Sequence, residues 1–213
     1  MTRTAVAAAI LALACAATAQ AQPTEPKVGV TMGYPTSVGA LWNVSERVAL
    51  RPELSLIHTS DDGTSSLAGL FGSSGSSSSD LWTVGVGVSG LFYISKAESL
   101  RTYVSPRFAY TRTSISGTNT STTAALPPIV IGGSTTTSTT SGASAIYFVS
   151  GSFGAQYSLG SRFAVFGELG LSFSDTETST TSSSPSPSVS GIRSDASGKS
   201  IGLRSGAGVI LFF

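Results

Sequence analysis

The chain has one cysteine, one histidine and two tryptophans in 213 residues, and its charged residues amount to 11%. A single cysteine excludes a disulfide framework and any Cys-based metal cluster. A formal net charge of +1 argues against nucleic acid as a partner. There is no phosphate-cradling Gly-Lys loop, no dinucleotide fingerprint and no metal-spaced His/Cys pair, so no cofactor or metal is expected. After residue 21 no run of 18 apolar residues occurs, which excludes a helical membrane protein. The scarcity of charge is itself a signal, because soluble domains carry about 25%.

What is present starts with a leader. Arg3 precedes an apolar stretch from Ala5 to Ala17, and Ala19-Gln20-Ala21 is a small-x-small cleavage site. Residues 1–21 are expected to be a cleaved signal peptide, leaving 22–213 as the mature protein. An acylated Cys15 is the competing reading, supported by Leu13-Ala14 but opposed by Ala12. Cleavage would remove both Cys15 and Arg3, leaving 12 − 1 = 11 basic residues against 11 acidic ones. An exported chain without disulfides must find its stability elsewhere.

The mature chain alternates two textures. Segments 59–80, 114–143 and 174–199 are low in complexity and about half Ser or Thr. Between them lie segments of strict period two. In 81–94 the even positions read Trp82, Val84, Val86, Val88, Gly90, Phe92, Ile94. In 144–159 the odd positions are apolar or small, with Ser and Gln opposite; in 162–174 Phe163, Val165, Leu169, Leu171 and Phe173 share one face. Such alternation is strand evidence, and it runs too long for a soluble sandwich, whose strands average about 5–6 residues. The aromatics keep a spacing of ten on one face: Trp82 and Phe92, Tyr147 and Tyr157, Phe163 and Phe173. At about 3.3 Å per residue and a tilt of about 40°, ten residues rise roughly 25 Å, the height of a lipid-facing band between two aromatic girdles.

Long polar segments alternate with short turns at Ser95–Ser99 and Gly160-Ser161. That asymmetry predicts an all-β, antiparallel, up-and-down transmembrane β-barrel, with short periplasmic turns and extracellular loops 59–80, 114–143 and 174–199. Strands are expected at 47–58, 81–94, 100–113, 144–159, 162–174 and 200–213. An even count requires two more from 27–44, split at Pro35-Thr36 into 27–34 and 37–44, which makes eight.

The end of the chain, Ile201 to Phe213, finishes in Phe with Leu211, Val209 and Ala207 at alternate positions before it. This resembles the C-terminal assembly signal of outer-membrane β-barrel proteins. With 213 − 21 = 192 mature residues, the chain resembles the small OmpA/OmpX-like barrels rather than 16-stranded porins. The resemblance implies integral residence in the outer membrane of a Gram-negative cell envelope, contact with outer-membrane lipids and lipopolysaccharide, and insertion by the barrel-assembly machinery. A monomer is expected.

The inward faces hold Arg51, Glu53, Arg101, Arg107, Glu168 and Arg204. An eight-stranded barrel is just wide enough for side chains to fill, and buried charges need partners. A network of Glu53 and Glu168 with Arg51, Arg107 and Arg204, plugging the lumen, is expected; re-pairing of these ions would instead make a narrow gated pore. His58 and Ser60 have H-x-S spacing and share the outward rim with Asp80. A Ser/His/acid set activates a hydroxyl, and the spacing resembles that of outer-membrane lipid A deacylases, though it lies early in the chain rather than near its end. The favoured reading is a structural or surface-interaction protein without catalysis.

Overall fold

A computed structural model of the chain describes residues 28–34, 37–67, 73–123, 133–184 and 191–213. The expected leader 1–21, with Cys15, lies outside the described residues, as does the Pro35-Thr36 break. Eight strands follow in chain order: β1 Val28–Tyr34, β2 Ser37–Asn43, β3 Val48–Leu67, β4 Ser73–Ala97, β5 Leu100–Thr123, β6 Ser134–Ser158, β7 Phe163–Ser183 and β8 Ile192–Phe212. Each is antiparallel to the next, and β8 pairs with β1 to close the ring. The fold is therefore the eight-stranded up-and-down barrel that the alternation predicts.

Period two sorts the side chains into two environments. On β4, Trp82, Val84, Val86, Val88, Phe92 and Ile94 face out, whereas Ser89 and Leu91 are fully buried inside. The same holds on β7, where Leu169 and Leu171 are exposed and Glu168 is buried. The barrel is thus apolar outside and partly polar within, the arrangement of an integral outer-membrane barrel. Towards the end that carries Val28 and Phe213, the interior is closed by Leu41, Ala49, Leu91, Tyr103, Ala164, Ile210 and Phe212.

The Ser/Thr-rich segments correct an expectation. Over 59–67, 73–80, 114–123, 134–143, 174–183 and 192–199 they are not irregular loops but continuations of the strands, in unbroken register from Ser60↔Asp80 to Leu67↔Ser73 and from Ser114↔Ala143 to Thr123↔Ser134. The cause is chemical. Thr favours the pleated conformation, and facing hydroxyls bond across the ladder: Thr120 to Thr137 at 3.3 Å, Thr122 to Thr135 at 3.1 Å, Ser174 to Ser200 at 2.7 Å. Strands with both faces in water need no apolar alternation, so the signal used to end them is silent about where they end.

β1 and β2 do not take part in this extension. β1 meets β8 only from Gly29↔Phe212 to Tyr34↔Ala207, and β2 reaches β3 no higher than Val38↔Leu54. Above those pairs, among the described residues, the wall is six-stranded, with β3 and β8 as its edges.

Candidate functional site

Five residues on four strands bring the inward charges together. Arg51 and Glu53 lie on β3, Arg107 on β5, Glu168 on β7 and Arg204 on β8, all at positions whose neighbours face lipid. Arg51 spans both carboxylates, with Nε 2.8 Å from Glu53 Oε1 and Nη2 2.7 Å from Glu168 Oε1. Arg107 holds Glu53 Oε2 at 2.8 Å, and Arg204 holds Glu168 Oε2 at 2.8 Å. The five residues named from the sequence thus form one connected cluster. Arg101, also inward, lies instead over the Tyr93 ring at 5.4 Å.

The cluster has a shell that alternation alone does not reveal. The Tyr103 hydroxyl donates to Glu168 Oε1 at 3.0 Å from a fully buried ring. Ser89 donates to Glu53 Oε1 at 3.4 Å, Arg204 donates to Ser152 Oγ at 3.3 Å, and Arg51 sits over the Phe166 ring at 4.9 Å. Gly154 makes room for Tyr103: a Cβ there would lie 2.5 Å from the ring. Sequence reasoning misses these aromatics because an aromatic in a barrel strand reads as a girdle residue. Their inward parity, shared with Arg101, Arg107 and Glu168, is the available signal.

Above the cluster is a cavity of about 430 Å³. The ions and Phe166 form its floor; Ile57, Thr83, Ala109, Phe148 and Ser150 line its sides; Tyr34, Ser37, Leu203 and Ser205 line it beside the ends of β1 and β2.

On the outside, His58 stacks on Trp82 with centroids 4.1 Å apart, and its Nε2 is 3.6 Å from Asp80 Oδ1. Ser60 pairs in register with Asp80. No hydrogen bond joins His58 to Ser60 among the described residues. The acid and the imidazole are thus brought near each other. The girdle candidates Trp82, Phe92, Tyr147, Tyr157, Phe163 and Phe173 are all exposed on the outer face, as are Leu211 and Phe213 of the terminal segment. In the same strand, Ala207 pairs with Tyr34 and Val209 with Met32. Farther out, hydrogen bonds from Ser179 and Arg193 hold the Asp195 carboxyl below its ordinary range.

No family model matches the chain, and no curated protein matches it. Among solved structures it is similar to Acinetobacter baumannii CarO, with 10% identity, a TM-score of 0.41, and coverage of 91% of this chain and 100% of that one. It is also similar to Acinetobacter baumannii CarO2, at 13% identity and a TM-score of 0.41 over 89% of this chain and 99% of the other. A major outer membrane protein from Thermus thermophilus is similar at 14% identity and a TM-score of 0.45, over 88% of this chain and 98% of that one. The fold assignment rests on the chain's own strand pairing, not on these likenesses.

Proposed function

We propose that the protein is a monomeric integral outer-membrane barrel, exported by a cleaved signal peptide, with a structural or surface-interaction role and a lumen filled by its ion cluster. One observation carries this: large apolar side chains line the outer face of every strand, while Arg51, Glu53, Arg107, Glu168 and Arg204, between the two aromatic girdles, point inward. In water that belt would be an aggregation surface; in lipid it is the required exterior. The Ser/Thr wall beyond it is a hydrophilic surface suited to lipopolysaccharide and the cell exterior. The role needs no catalysis, cofactor or metal. The length and the eight strands make the small OmpA/OmpX-like barrels the group this reading favours.

The ion cluster also supports a second reading, a narrow gated pore in which Glu53 or Glu168 changes partners. The apolar closure by Leu41, Leu91, Ile210 and Phe212 beneath the ions favours the plug. Planar-bilayer recordings test the choice: wild type and Glu53→Ala should both show negligible single-channel current. Discrete openings that appear in wild type and change in the variant would establish the pore. A lipid A deacylase-like activity of His58, Ser60 and Asp80 is the third reading. Mass spectrometry of lipopolysaccharide after incubation with pure protein should find every acyl chain retained.

A further inference from the structure

Among the described residues the barrel wall has a gap at membrane depth. The upper girdle residue Phe173 pairs with Ile201 on β8, but β1 ends at Tyr34↔Ala207. On the other side Trp82 pairs with His58 on β3, but β2 reaches only Val38↔Leu54. Residues 55–58 of β3 and 201–206 of β8 are therefore unpaired edges inside the lipid-facing band, among the described residues. At the strand rise and tilt of such barrels the opening is about 10–15 Å high. Three interstrand spacings of about 4.8 Å make it about 14 Å wide.

An open sheet edge is not tolerated against hydrocarbon, because its N–H and C=O groups find no partner there; it survives where it lines a polar or water-filled cavity. The cavity brings Ser37, Ser55, Thr83, Arg204 and Ser205 to these edges and passes through the gap, since Tyr34, Leu203 and Ser205 line it although they belong to the outward face. Its two ends differ in chemistry. The mouth carries Tyr34, Leu203 and Ile201, exposed by 74%, 82% and 78%, with Leu54 and Leu56 across the gap. The floor is cationic. Three guanidinium groups face two carboxylates there, and the carboxylates lie deeper: Glu53 and Glu168 side chains are 7% and 1% exposed, against 20% and 15% for Arg107 and Arg204. An apolar mouth opening on lipid and an inner surface with one uncompensated cation fit a molecule with a tail and a single negative charge.

We propose that this gap is a lateral port through which a single-chain, monoanionic amphiphile enters from the membrane, placing its head on Arg107 and Arg204 and its tail past Ile57 and Leu203 into the lipid. The inference rests on the membrane-barrel reading above. Binding of radiolabelled hexadecanoate to the pure full-length protein in a nonionic detergent tests it, with hexadecanol as the uncharged match and inorganic phosphate as competitor. Saturable one-to-one binding of the acid is expected, at least tenfold tighter than the alcohol. Ser205→Trp, which fills the mouth without touching the ions, should weaken it at least tenfold, and Arg204→Gln should remove the preference for acid over alcohol. Equal binding of acid and alcohol overturns the cationic seat. Indifference to Ser205→Trp, or displacement by inorganic phosphate at the concentration of the fatty acid, overturns the lateral route. Each sample is also run unboiled and boiled in SDS. A protein that shifts on heating but binds nothing overturns the port alone, whereas one that never shifts overturns the membrane barrel and the port with it.

Discussion

Glu168 is the residue on which the lumen turns. It accepts from Arg51, Arg204 and Tyr103 at 2.7, 2.8 and 3.0 Å, so its removal leaves the partly buried Arg204 without a carboxylate and Arg51 with Glu53 alone. Breaking a buried ion pair from one side costs about 3–5 kcal/mol. Glu168→Ala should lower stability by that amount in urea titrations followed by tryptophan fluorescence in lipid vesicles; a loss below about 1 kcal/mol would mean the cluster is not a coupled unit. Two glycines supply a matched test of lumen packing. A Cβ on Gly154 meets the Tyr103 ring, whereas one on Gly167 meets nothing within 4 Å. Gly154→Ala should destabilise by about 1–3 kcal/mol, the range for overpacking a core, and Gly167→Ala should be near neutral in the same titration.

At the scale of the element, the strands outrun their apolar pattern. β5 and β6 remain paired from Ile115↔Gly142 to Thr123↔Ser134, so amides throughout 114–123 and 134–143 should exchange with deuterium far more slowly than in a free loop. Exchange there at unstructured rates would contradict the ladder. Removing one facing hydroxyl pair, as in Thr122→Ala with Thr135→Ala, should cost only about 0.2–1 kcal/mol, because each cross-strand pair is a small share of the whole. The outward faces and the five-residue ion set are legible in the sequence because both depend on parity, which burial against lipid enforces; the strand count and the β1/β2 split follow instead from the need for an even number of strands and from the Pro35-Thr36 break. The strand ends are not legible, because a ladder with water on both faces keeps its backbone pairing without any apolar period. Tyr103 and Phe166 lie on the inward parity but are masked by the habit of reading aromatics as girdle. The gap beside β1 and β2 is invisible, since it follows from registers between strands rather than from any one of them.

For the whole molecule the governing fact is inversion: apolar belt outside, ions and hydroxyls inside, and backbone groups at most membrane-depth positions paired within a closed ring. Such a ring resists SDS until heat opens it, because unfolding must break every ladder together. Stability without a disulfide follows from the same closure, as the chain holds a single cysteine. The most direct test is the electrophoretic mobility of the outer-membrane fraction in SDS, unboiled against boiled. A band in that fraction that changes mobility on heating is the predicted result. A soluble periplasmic band with the same mobility before and after boiling would contradict the membrane barrel.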